Sequence, residues 1–207
     1  DKLISITMKQ INNQAFFNEV SKTLFNGQLN NKQRSGIEYK LTAFEIYDIT
    51  DNRWRAYMLA TSYHETGRRM LPVEEIGQGA GKPYGKKIKQ DGTRYTMPDK
   101  IYYGRGDVQL TWYENYEMMG EIFDQPLLMF PEIALDPLLS AMIMVEGMID
   151  GKSRVGDFTG VSLEDYFNKH RDDPFNARRI VNGLDQADKI AGYYYKFLHA
   201  LESAALN

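Results

Sequence analysis

The chain has 207 residues, 43% hydrophobic and 26% charged, with a formal net charge of −3 and no cysteine. That length supplies one full domain with a substantial core, and the charge gives no long-range attraction to nucleic acid or an anionic membrane. The missing cysteines exclude disulfides, thiolate nucleophiles and Cys-based zinc sites, and they fit synthesis in a reducing compartment. No stretch reaches the roughly 18 apolar residues of a membrane span. The start, Asp1 to Ser5, lacks the charged-then-apolar build of a signal peptide and has no initiator Met, which leaves a trimmed start open.

The pattern is mostly helical. Asn18 to Leu24 and Gln33 to Ile46 carry apolar residues at helical spacing, separated by an Asn/Gly-rich turn from Asn26 to Asn31. Asp51 reads as the cap of a helix from about Arg53, with Trp54, Tyr57, Met58 and Thr61 on one face and Gly67 as its stop.

Residues 68 to 106 differ in character. Seven glycines and three prolines make a long helix untenable there, and a long irregular segment inside a compact domain is functional or disordered. Recurring tyrosines (Tyr84, Tyr95, Tyr102, Tyr103) favour an ordered loop, with room for a small hairpin. Lys82, Lys86, Lys87, Lys89 and Arg94 cluster here against Asp91, which reads either as a solvated surface or as a contact for an anionic substrate.

Helical patterning returns from about Trp112. Pro126, Pro131 and Pro137 punctuate two connections, and Leu138 to Ile149 reads as a buried central helix ending at Gly151. Short helices are expected near Leu163 to Asn168 and Pro174 to Val181. A last helix, Gln186 to Ala205, carries Ile190, Tyr193, Tyr194, Phe197, Leu198 and Leu201.

Two carboxylates in a short window stand out: Glu65 in His64-Glu65-Thr66-Gly67, and the Glu74-Glu75 pair after Pro72. Glu65 falls near the negative end of a helix dipole. With apolar neighbours, its pKa is expected to rise into the range a general acid needs. It reads equally as an exposed helix-end residue. Glu74 and Glu75 are adjacent, so in extended backbone only one points inward. The His64-Glu65 step is not a zinc-protease motif, because position 68 is Arg and His170 and His199 are remote. Gly77 to Pro83 is not a phosphate loop, since its spacing fails and Pro83 follows Lys82. Neither a metal nor a cofactor is expected. The run Tyr102-Tyr103-Gly104-Arg105-Gly106-Asp107-Val108-Gln109-Leu110-Thr111-Trp112 implies tight backbone, with Arg105 placed to pin a carboxylate. Gln109, Thr111 and Asn115 supply neutral donors and acceptors suited to sugar hydroxyls and acetamides.

Together these stretches resemble the family 19 glycoside hydrolases, which comprise the plant-type chitinases and related phage and bacterial endolysins. The resemblance rests on His64 to Gly67, Glu74-Glu75-Ile76 and Tyr102 to Tyr116, and extends to Asp136-Pro137-Leu138-Leu139-Ser140 and Ile180-Val181-Asn182-Gly183. It implies a mainly α, lysozyme-like single domain over residues 1–207, with the long irregular loop or small hairpin forming one wall of the substrate groove. It implies Glu65 as general acid, Glu75 (with Glu74 as the competing choice) as general base of an inverting reaction, and Thr111 as the holder of the attacking water. His64, Glu74, Tyr103, Arg105, Gln109, Asn115 and Asn182 are the implied substrate contacts. An inverting pair implies carboxyl groups roughly 6.5–9.5 Å apart. Asp107 departs from the family pattern, which has Pro at that position, and the cysteines of the plant enzymes are absent.

The expected activity is hydrolysis of β-1,4 bonds in the glycan strand of peptidoglycan, as an endolysin of phage or prophage type. Such an enzyme is made in the bacterial host cytoplasm, acts on the cell wall and works as a monomer. The alternatives are a chitinase on the same scaffold and a non-catalytic wall-binding module. Membrane contact by the last helix is a further alternative, which burial of that helix in the core explains more simply.

Overall fold

The computed structural model describes residues 13–149 and 158–205. The expected stop at Gly151 and the reading of Asp1 to Ser5 lie outside these residues. Seven α-helices form among them, with a two-stranded antiparallel sheet and three short 3₁₀ turns.

The first helix among the described residues, α1, spans Asn13–Leu24, five residues ahead of the expected start, and buries Phe16, Phe17, Val20 and Leu24. The Asn/Gly turn ends in a capping box. The Asn30 side chain accepts from the Gln33 N–H and the Gln33 side chain accepts from the Asn30 N–H, which starts α2 (Asn31–Ile46). Asp51 accepts the Arg53 N–H at 2.8 Å and opens α3 (Asn52–Glu65). The end of α3 is also as expected: Gly67 sits at φ 57°, a left-handed position where glycine carries no Cβ penalty, and the Arg68 N–H returns to the Tyr63 carbonyl.

The expected single apolar face of α3 is a correction. Every residue from Arg55 to Tyr63 is buried, because helices pack around the whole circumference. The last helix, α7 (Ala187–Ser203), lies against it. Ile190, Tyr194, Phe197 and Leu201 face the core, and the Tyr193 ring packs edge-on to Tyr63 at 4.6 Å. The aromatic face that a membrane contact would need is therefore spent inside, and Tyr195 is the exposed aromatic of this helix. No helix among the described residues is long and apolar enough to cross a membrane.

The other central helix is α5 (Pro137–Met148), with Pro137 in its first turn and Asp136 accepting the Leu139 N–H. Its two faces serve two apolar clusters. Ala141, Met144, Val145 and Met148 join the main core with α1, α2, α3 and α7. Leu139 and Ile143 join a smaller one built from Tyr95, Tyr102, Leu110, Tyr116, Met119 and Leu127, which carries α4 (Tyr113–Phe123). The short α6 (Leu163–Tyr166) and a 3₁₀ turn at Asn176–Ile180 replace the two longer short helices expected in that region.

The segment 68–106 is the expected ordered loop, but its sheet is not a local hairpin. Strand β1 (Val73–Glu74) pairs antiparallel with β2 (Arg105–Gly106) from the far end of the loop, with Val73 opposite Gly106 and Glu74 opposite Arg105. A separate bridge between Ile88 and Arg94 closes a small turn within it. Gly79 and Gly85 pass so closely that a Cβ on Gly85 would lie 2.0 Å from the Gly79 carbonyl oxygen, which excludes any side chain there.

Asp107, where the resembled family has Pro, is wholly buried. Its carboxylate pairs with Lys40 of α2 at 2.5 Å and accepts from Ser62 of α3 at 2.7 Å and from Ser140 of α5 at 2.5 Å. Its N–H donates to the Ser140 hydroxyl. The Lys40 ammonium also donates to the carbonyls of Met70 and Gly36. Burial lowers the Lys40 pKa, against the opposing pull of Asp107. This satisfied cluster fixes β2 to three helices at once.

Candidate active site

A cleft of about 410 Å³ lies between the two apolar clusters. It is lined by Glu65 and Asn182 from the main-core side and by Gln109, Thr111, Trp112 and Asn115 from the other, with Tyr84 of the loop at its wall. Five of the ten sequence-nominated residues thus meet in one concave site.

Glu65 is the last residue of α3, presented where the helix stops. Its surroundings are not the apolar ones expected. The carboxylate accepts a hydrogen bond from the Arg178 Nη1 at 2.9 Å, and Arg178 itself is buried and held by the Asp185 carbonyl. The preceding His64 is half-buried, and its pKa is lowered chiefly by that burial, so its imidazole is neutral at neutral pH. His64 does not line the cleft.

The adjacent glutamates part company as extended backbone requires. Glu74 sits in β1 and accepts from the Tyr103 hydroxyl at 3.0 Å, with Arg105 Nε at 3.9 Å. Tyr103 and Arg105 are packed inside the fold. The Arg105 guanidinium stacks 3.7 Å from the Tyr103 ring centre and donates to the Ile101 carbonyl and the Tyr116 hydroxyl. These three form a supporting cluster outside the cleft lining, with Glu74 on its exposed side.

Glu75 turns the other way. Its carboxylate accepts from the Tyr84 hydroxyl at 2.7 Å and from the Gly104 N–H at 3.0 Å, and its own N–H donates to the Gly104 carbonyl. Burial, aided by this carboxylate, pushes the Tyr84 pKa up to about 12, so the phenol stays protonated and donating. Glu75 reaches the cleft through Tyr84, whose ring packs edge-on to Trp112 at 5.5 Å.

The remaining lining is tightly preset. Gln109, at φ 57°, donates to the carbonyls of Val73 and Gly106 and so ties β1 to the loop after β2. The Thr111 hydroxyl donates to the Gln109 carbonyl at 2.8 Å, which leaves its oxygen free to accept. Asn115, also in the lining, donates its amide N–H to the Thr111 carbonyl at 2.9 Å. Asn182 is exposed, with its side-chain oxygen on the Gly183 N–H.

Sequence reasoning missed Arg178, Tyr84 as the partner of Glu75, and the Lys40–Asp107 pair. Only the last had a signal: Asp107 stood out as a departure in a run that otherwise matched.

The fold is shared with solved chitinase structures. A maize class IV chitinase matches over 89% of this chain and 93% of its own, with a TM-score of 0.56 and 18% identity. Chitinase C from Streptomyces griseus matches over 84% and 86%, with a TM-score of 0.57 and 21% identity. The chain has the fold of the family 19 chitinases. A likeness in sequence accompanies it: endochitinase EP3 of Arabidopsis thaliana is 33% identical over 145 residues, covering 65% of this chain. The chain spans about half the length of that relative, 51% of it. No family model matches the chain.

Proposed function

We propose that the chain is a glycoside hydrolase acting on β-1,4-linked N-acetylated amino sugars, and that its substrate is the peptidoglycan glycan strand. The observation that carries the hydrolytic reading is one cleft in which a helix-end carboxylic acid, Glu65, faces a neutral amide and hydroxyl lining, with a second carboxylate, Glu75, one hydrogen bond behind its wall. Glu65 protonates the glycosidic oxygen, and the Arg178 guanidinium stabilises the carboxylate this leaves. Glu75 takes the Tyr84 hydroxyl proton as that hydroxyl takes one from a water whose other hydrogen the Thr111 oxygen accepts. Attack from the opposite face inverts the anomeric centre. Glu75 is the preferred base over Glu74, because Glu74 is held in the Tyr103–Arg105 cluster away from the cleft lining.

Chitin is the second reading, favoured by the chitinase names of the relatives in sequence and structure. Mass spectrometry of the products released from purified peptidoglycan and from chitin oligosaccharides decides between them. Muropeptides carrying a new reducing N-acetylmuramic acid end support the peptidoglycan reading and make the enzyme a muramidase. Products from chitin alone overturn it.

A further inference from the structure

The loop that walls the cleft carries a charge the hydrolytic reading does not use. Residues 82–100 hold six basic side chains and two acidic ones, in a chain whose formal net charge is −3. The loop is firmly seated. The Gln90 N–H donates to Glu114 at 2.8 Å, Lys89 lies 4.4 Å from the centre of the Tyr113 ring, and Tyr95 is buried in the smaller core. Lys87 pairs with Asp99, and Asp91 is occupied by the Thr93 N–H and hydroxyl. That leaves Lys82, Lys86, Arg94 and Lys100 exposed and without an ion-pair partner among the described residues; Lys100 follows Asp99 at the end of the segment, while Arg94 bridges to Ile88 across the turn that carries the cleft-lining Gln90. Lys82 and Lys86 stand two residues either side of Tyr84, which lines the cleft. At ~3.8 Å per residue their backbone lies within about one Debye length of its edge.

We infer that Lys82, Lys86 and Arg94 form a substrate-reading wall that binds the carboxylates of the acidic stem peptides hanging from the glycan strand. The inference rests on the hydrolase reading of the same cleft. A neutral polymer such as chitin has nothing to offer these cations, whereas each disaccharide of peptidoglycan brings free carboxylates on a flexible peptide beside the sugar being cut. Seated cations beside a cleft whose one charged lining residue, Glu65, is already paired with Arg178 raise the local concentration of such a polymer without touching the reacting bond.

The test is the triple variant K82Q/K86Q/R94Q, whose substitutions touch none of the proposed acid, base or water-holding groups. Release of reducing ends is followed for wild type and variant on intact peptidoglycan and on glycan strands stripped of stem peptides and with the freed lactyl carboxyls capped as amides, at low and high salt, after thermal melts show equal folding. The expected result is a roughly tenfold loss of kcat/KM on intact peptidoglycan at low salt, carried by KM, with no loss on stripped strands. The wild-type advantage should fade as salt rises. An equal loss on both polymers, no loss on either, or an unchanged salt response overturns the inference while leaving the hydrolase reading standing. A wild type that cuts chitin oligosaccharides but neither form of peptidoglycan overturns the substrate reading, and this inference with it.

Discussion

Replacing Asp107 by Asn breaks the one buried ion pair that binds the cleft-forming strand to three helices. The Lys40 and Asp107 side chains are 1% and 0% exposed, so water cannot take over for the lost partner. In Asp107→Asn the Lys40 ammonium keeps the Met70 and Gly36 carbonyls but loses its counter-charge. Breaking a buried pair on one side costs about 3–5 kcal/mol, and retention of the side-chain shape and two carbonyl acceptors places this change near ~3 kcal/mol. That is a large part of the ~5–15 kcal/mol available to a whole domain. The variant also carries a pH signature. Burial lowers the Lys40 pKa, and Asp107 opposes that lowering. Without Asp107, the folded state releases the proton well below the unfolded value of about 10.4, so within that window the unfolded chain binds more protons. The variant should therefore gain stability relative to wild type as pH rises from 7 toward 10, by at most ~1.4 kcal/mol per pH unit. Urea denaturation across this range measures both effects. A loss below about 1 kcal/mol, or a difference from wild type that does not shrink with rising pH, refutes the reasoning.

Other outcomes follow from the cleft. Tyr84→Phe removes the donor to Glu75 and should lower kcat by roughly tenfold with little change in KM, measured by reducing-end release; an unchanged kcat contradicts the positioning role. Glu75→Gln should cost on the order of 10²–10⁴ in kcat while Glu74→Gln costs less than about tenfold, and the reverse order transfers the base to Glu74. His64 has its folded pKa lowered by burial, so its contribution to stability is present above about 6.5 and lost as pH falls through the folded value. The melting temperature of His64→Asn should consequently fall less than that of wild type between pH 7 and pH 5, and parallel profiles would contradict this.

Local chemistry made the helical frame legible. Asp51, Gly67 and Pro137 mark helix ends through capping and backbone preferences that act within a turn or two, and the structure places them there. The cleft residues Glu65, Thr111 and Asn115 were legible because their motifs are contiguous. What stayed hidden depends on contacts distant in sequence. Arg178 meets Glu65 across 113 residues, and nothing around Arg178 announces a partner. Lys40 sits in a helix where a lysine ordinarily reads as solvated, and only the meeting of α2, α3, β2 and α5 buries it. The all-round burial of α3 was missed for the same reason, since it reflects the neighbours the helix acquires and not its own period.

The role of Glu65 as proton donor is tested most directly by one isosteric substitution. Wild type and Glu65→Gln, matched for fold by circular dichroism, are compared for reducing-end release from purified peptidoglycan and chitin oligosaccharides at neutral pH. The amide keeps the shape of the side chain and can still accept from Arg178, but it has no proton to give. The predicted result is a fall in kcat of about 10²–10⁴ or more on whichever polymer wild type cuts, with substrate binding retained. A Glu65→Gln variant that turns over at the wild-type rate would contradict it.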